Sequence, residues 1–134
     1  RVYGDGIKSR SGGDIMKLAF LFRTAPHGNA ISREGLDALL AATAFCDEEE
    51  IGVFFIDDGV LNLLDEQNPE VLLQKDFIRT FKLLDLYDIE HRFVCATSLD
   101  QYNLQTEQLI ISAGKIDRTS LINKLSQAEK VFTF

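Results

Sequence analysis

From Lys17 onward the chain alternates between short unbroken apolar runs and longer stretches in which apolar residues recur at three- and four-residue spacing. Leu18-Ala19-Phe20-Leu21-Phe22 has no polar position, which predicts a strand buried on both faces, since alternation disappears when neither face meets water. Thr24 to Ala30 carries Pro26, Gly28 and Asn29 and reads as a loop at the strand's C-terminal end. Ser32 is placed to cap a helix whose apolar stripe runs through Leu36, Leu39, Leu40 and Thr43 and which should stop near Asp47. Ile51 to Ile56 predicts a second buried strand. It is closed by the turn Asp57-Asp58-Gly59, with Gly59 expected at positive φ, and then by a short apolar turn through Val60, Leu61, Leu63 and Leu64.

The same rhythm continues. Asn68 and Pro69 predict the start of a helix with a stripe of Phe77, Phe81, Leu84 and Tyr87. Arg92 to Ala96 predicts a third strand, with Thr97 or Ser98 opening a short helix. Leu109 to Ile111 predicts a fourth strand. Asp117 then caps a helix through Leu121, Ile122 and Leu125, and Lys130 to Phe134 closes the chain as a fifth strand. Strands separated by helices pair in parallel, because each crossover needs a covering helix. The prediction is an α/β three-layer sandwich with an open, mainly parallel five-stranded sheet, forming a single domain over residues 16–134. Its functional loops should gather at the strands' C-terminal ends. Residues 1–15 hold four of the nine glycines and show no periodicity. They read as a leader or added extension, with Met16 the expected start, against the alternative of a genuine short arm.

Charge and cysteine content narrow the function. A formal net charge of −7 opposes unaided binding to a nucleic-acid backbone. Two cysteines, Cys46 and Cys95, are too few for a disulfide scaffold and fit a reducing cytoplasm. No apolar run approaches the roughly 20 residues needed to span a bilayer.

Three places at the predicted functional edge carry candidate chemistry. The Thr24–Asn29 loop has one glycine and matches neither the dinucleotide nor the P-loop pattern. His27 within it is a candidate general base without a partner fixed by any motif. Asp57 and Asp58 are a candidate cation pair, but a receiver domain would place its acidic pair after the first strand and an Asp after the third. A structural turn is the better reading. Cys95, at a strand-to-helix transition, is the sharpest candidate, as a thiolate that could carry a persulfide; its bland alternative is a buried apolar cysteine. His91 shares its face but lies roughly 13 Å along the strand, too far for a dyad. Cys46 sits beside an acidic run that disfavours its thiolate. The two cysteines and two histidines lack the close pair spacings of a zinc site, and no metal or cofactor is expected.

Longer segments carry a resemblance. Phe22-Arg23-Thr24-Ala25-Pro26-His27-Gly28, Arg33 to Leu40, Val53 to Val60, Thr80 to Leu84, Leu86 to Glu90 and Val94-Cys95-Ala96 together resemble the DsrF-like branch of the DsrE/DsrF/DsrH sulfur-relay family. The match runs in order from Met16 to Phe134. The resemblance implies a cytoplasmic subunit that joins TusB-like and TusD-like relatives in a hetero-hexamer of two trimers. That complex takes persulfide sulfur from a TusA-like donor toward a TusE-like acceptor and finally into the 2-thio group of a tRNA wobble uridine. It places the carrier cysteine on the TusD-like subunit, at the end of the third strand. Counting back from Leu99, the carrier position falls on Val94, one residue before Cys95, and one residue along a strand reverses the face. The resemblance therefore implies a non-catalytic structural subunit, with no catalytic, cofactor or metal residue assigned. The alternatives are Cys95 as a persulfide carrier and a small-ligand module built on the Thr24–Asn29 loop.

Overall fold

A computed structural model describes residues 16–25, 31–64 and 80–134. Among these residues five strands form one sheet: β1 (Leu18–Phe22), β2 (Ile51–Phe55), β3 (His91–Cys95), β4 (Gly114–Ile116) and β5 (Lys130–Thr133). Their order is β4-β3-β2-β1-β5, and every pairing is parallel. The helices are α1 (Ile31–Ala42), α2 (Leu83–Leu86), α3 (Ala96–Gln101) and α4 (Arg118–Ser126), with a 3-10 segment at Asp57–Leu63. The three-layer sandwich with a parallel five-stranded sheet is thus the observed architecture.

The apolar runs work as buried strands because both faces are covered. Phe20, Phe22, Val53, Phe55 and Val94 point into one layer with Leu36 and Leu39 of α1, Leu84 of α2 and Leu99 of α3. Ala19, Leu21, Phe54, Ile56 and Cys95 point the other way, against Leu121 and Leu125 of α4. This is the period-two alternation of a strand, hidden in the sequence because both sets are apolar. The first layer is aromatic. Phe22 stacks on Phe55 at 5.4 Å between ring centroids, and Phe81 meets both edge-on at 5.3 and 5.7 Å. Each fully buried Phe removes a large apolar area from water, worth roughly 2–3 kcal/mol. Gly35 lets α1 lie against this layer, since a Cβ there would fall 2.6 Å from the rings of Phe22 and Phe134.

Several expected boundaries move. The fourth strand is Gly114–Ile116, not Leu109–Ile111. Leu109 makes only an isolated antiparallel bridge to Leu64, Ile110 N–H donates to the Leu63 carbonyl at 2.7 Å, and Ile111 is buried in the first core layer. A three-residue apolar run marks burial without specifying a strand, whereas the real edge strand leaves Gly114 and Lys115 exposed and gives no apolar signal. Ser32 lies inside α1 and is buried, so it does not cap it. Its hydroxyl donates to the Thr24 carbonyl at 3.1 Å and fastens the helix to the end of β1. Helix α1 ends at Ala42, short of Asp47; Thr43 turns its hydroxyl back onto the Leu40 carbonyl at 2.6 Å. Helix α3 opens at Ala96, ahead of Thr97 and Ser98. Tyr87 and Ile122 are exposed and do not belong to the apolar stripes. Asp117 caps α4 as expected, accepting the Ser120 N–H at 2.7 Å. The expected leader at residues 1–15, the helix start at Asn68 and Pro69, and Phe77 lie outside the described residues.

Candidate functional site

The C-terminal ends of the strands hold a network of charged side chains. Asp57 follows β2 and adopts φ 54, a left-handed conformation that Asp tolerates better than most residues. The expected positive φ at Gly59 is therefore shifted two residues toward the strand. Gly59 is required for a different reason, since a Cβ there would lie 1.8 Å from the Phe22 carbonyl oxygen. The Asp57 N–H donates to the buried Ser98 hydroxyl of α3 at 2.7 Å. Its carboxylate lies between two arginines, with Arg118 Nη1 at 3.0 Å and Arg23 Nη2 at 3.5 Å. Tyr102 donates its hydroxyl to the Asp58 carboxylate, and that hydrogen bond, with a smaller contribution from burial, raises the Tyr102 pKa above its ordinary value.

Strand order gives this network its geometry. Phe55 pairs with Val94 and Cys95 with Ile116, so Asp57 and Arg118, each two residues further on, stand on either side of the end of β3. Their ion pair spans that end, where Cys95 sits. The Arg118 pKa is raised, chiefly by its hydrogen bond to Asp57 and by the charge of Asp57, with Cys95 adding to the same direction.

Cys95 is completely buried, packed among Phe54, Leu121 and Leu125 on the α4 side of the sheet. Val94 is equally buried but faces the opposite layer. The one-residue offset read from the sequence thus separates two faces of the sheet. His91 stands at the other end of β3 from Cys95. Cys46 is half-buried beyond α1, and its pKa is raised by burial first and by Glu50 second; the sequence pointed to the acidic run alone. Thr24 is described; His27, Gly28 and Asn29 lie outside the described residues. Among the described residues no group of three or more His, Cys, Asp or Glu side chains is arranged to hold a metal ion.

Sequence reasoning gave no role to Arg23, Asn62 and Arg118, and read Ser98 only as a residue opening the helix after the third strand. Asn62 is buried and donates through Nδ2 to the Thr24 and Gly59 carbonyls, both at 2.9 Å, tying the ends of β1 and β2 together. No spacing in the sequence marks these residues, because they meet only through the strand order.

A parallel five-stranded sheet with a charged C-terminal edge and a buried thiol at the end of β3 defines an α/β sandwich. The chain belongs to the DsrE/DsrF-like family, whose model matches residues 16–134. It is 67% identical over 119 residues to a Protein TusC homolog of Haemophilus influenzae, covering 89% of this chain and 100% of that protein. A Protein TusC homolog of Pasteurella multocida is 56% identical over the same shares of both chains. One from Aliivibrio fischeri is 44% identical over 118 residues, covering 88% of this chain and 98% of that protein. The crystal structure of the ychN protein from E. coli superposes with a TM-score of 0.67 at 20% identity, covering 89% of this chain and 99% of that one, a likeness of fold.

Proposed function

We propose that this chain is a non-catalytic structural subunit of a TusBCD-type sulfur relay in the cytoplasm. It assembles with TusB-like and TusD-like relatives into a hetero-hexamer that moves persulfide sulfur from a TusA-like donor to a TusE-like acceptor, toward 2-thiolation of a tRNA wobble uridine. The family, and similarity to TusC homologues over nearly their whole lengths, support the relay. The burial of Cys95 supports the structural role. A carrier thiol must meet a donor persulfide in line with its S–S bond, and a sulfur with no accessible surface cannot. The net charge of −7 supports a partner, rather than this chain, meeting the RNA.

Co-expression with TusB-like and TusD-like relatives tests the reading. One stable complex of all three is the expected result, and a monodisperse monomer that ignores both partners overturns it.

A second reading is favoured by the place of Cys95 at the end of β3, beside the guanidinium of Arg118. In it, Cys95 is itself a carrier: its thiolate attacks the outer sulfur of the donor persulfide, a new S–S bond forms as the donor's own S–S bond breaks, and the donor leaves as a thiolate. Persulfide-specific labelling of the assembled complex, wild type against Cys95→Ala with sulfur donor present, separates the two. Label on this chain that disappears in the variant while assembly is intact selects the carrier.

A further inference from the structure

On one side the sheet ends at β5, and all four residues of that strand are exposed. Among the described residues no strand lies beyond it. Lys130 N–H donates to the Lys17 carbonyl at 3.0 Å, Phe134 N–H to the Leu21 carbonyl at 2.8 Å, and Arg23 N–H to the Phe134 carbonyl at 2.6 Å. A strand sends the backbone groups of successive residues to alternate sides, so Lys130, Phe132 and Phe134 serve β1. Val131 and Thr133 therefore aim their N–H and C=O groups away from the sheet.

Open edges are ordinarily blunted by proline, a bulge or charged side chains. β5 has no proline, its register with β1 runs unbroken from Lys130 to Thr133, and its one charge stands at its first residue. Val131, Phe132 and Thr133 are all residue types that favour extended chain. Val131 pairs with Ala19 on the α4 side and is 43% exposed. Phe132 is 38% exposed on the other face, where it stacks on Phe20 at 5.3 Å. The edge thus offers outward backbone donors and acceptors with an apolar side chain on each face. Another extended backbone is the ligand that answers both.

Register and charge point to the occupant. When two copies run antiparallel about Phe132, each Val131 stands opposite the other copy's Thr133, and every outward N–H and C=O finds a partner. Centring the pair on Val131 instead sets Thr133 against Glu129, whose N–H already serves the Met16 carbonyl at 3.3 Å. In the first register Phe132 faces Phe132 with Cα atoms about 4.5 Å apart, and the Phe20–Phe132 stack continues across both chains. The two Lys130 residues fall at opposite ends, roughly 13 Å apart along the strands, beyond the screening length of about 8 Å. Parallel pairing would set them side by side and leave the contact unclosed.

We propose that β5 pairs antiparallel with β5 of a second copy of this chain, joining two sheets into one across a twofold axis. The edge uses neither Cys95 nor the Asp57–Arg118 pair, so the inference stands whether or not the relay reading does. A four-residue edge makes a small interface, and the pair forms as concentration rises.

Amide hydrogen exchange of the full-length protein, read by NMR over a dilution series, tests this alongside sedimentation velocity. Val131 and Thr133 should exchange fast when dilute and become protected as dimer forms, whereas Phe132, bonded to β1, is protected throughout. Val131→Pro removes an outward donor and no bond to β1, so it should weaken dimerisation about tenfold or more. Val131→Lys serves if the proline variant misfolds, since a charge blunts the same edge. Phe132→Cys should give a covalent dimer under mild oxidation, above any wild-type background from Cys46 and Cys95. Four results overturn the proposal: a monomer at every concentration, a dimer in which Val131 and Thr133 still exchange freely, a dimer that neither Val131 variant weakens, or protection of these amides only when a related subunit is added.

Discussion

Gly59→Ala probes how tightly the functional edge is built. The added methyl would sit 1.8 Å from the Phe22 carbonyl oxygen, 2.4 Å from its carbon and 2.9 Å from Arg23 N, where ordinary contact starts at 3.4 Å. All three are backbone atoms, so no side-chain rotation relieves the clash. Either β1 or the 3-10 segment has to move. Movement breaks the Ile56 N–H bond to the Phe22 carbonyl (3.0 Å) and the Asn62 bond to the Gly59 carbonyl (2.9 Å). At about 1 kcal/mol each, with about 1–3 kcal/mol for overpacking, the loss totals about 3–5 kcal/mol. Domains of this size have only about 5–15 kcal/mol in total. Urea unfolding followed by circular dichroism measures the loss as a lowered midpoint with unchanged slope. A loss below about 1 kcal/mol would mean that the β1–β2 edge yields freely and that Gly59 is not required there.

Cys95 should resist alkylation in the native protein and react only in denaturant, as mass spectrometry of the labelled peptide would report; fast native labelling would contradict its burial. Cys46 should label more slowly than a free thiol and accelerate in Glu50→Gln. Because its folded pKa is raised above 9.0, the stability linked to its protonation is complete below that value and is lost as pH rises through the folded pKa. Asp117 shows the opposite sign: hydrogen bonding from Ser120 lowers its pKa, so its contribution is present above 3.8 and is lost as pH falls through the folded value. Asp117→Ala should therefore lower the melting temperature at neutral pH and lose that effect in acid. Leu39→Ala, at a fully buried position on α1, should cost about 2–5 kcal/mol by chemical denaturation.

The fold was legible in the sequence because burial on both faces leaves an unambiguous mark. Leu18–Phe22 and Ile51–Phe55 are apolar at every position except Gly52, and their strands fall where the pattern put them. Where an element is half exposed, that mark fades. Strand β4 at Gly114–Ile116 was displaced onto Leu109–Ile111, a more apolar segment that packs without joining the sheet. Caps were legible only where the side chain acts locally. Asp117 reaches a backbone N–H three residues ahead, whereas Ser32 turned out to serve Thr24, eight residues behind it.

At the candidate site, the sequence was enough to set Val94 and Cys95 on opposite faces of their strand, because a two-residue period is a property of the backbone. What covers each face follows from the tertiary structure. The sheet order sets Asp57 and Arg118 on either side of β3 and brings Leu121 and Leu125 over the sulfur. Residues 57, 95 and 118 are far apart along the chain, and no local propensity couples them. Their meeting follows from the parallel register of three strands, which is settled when the whole core packs at once.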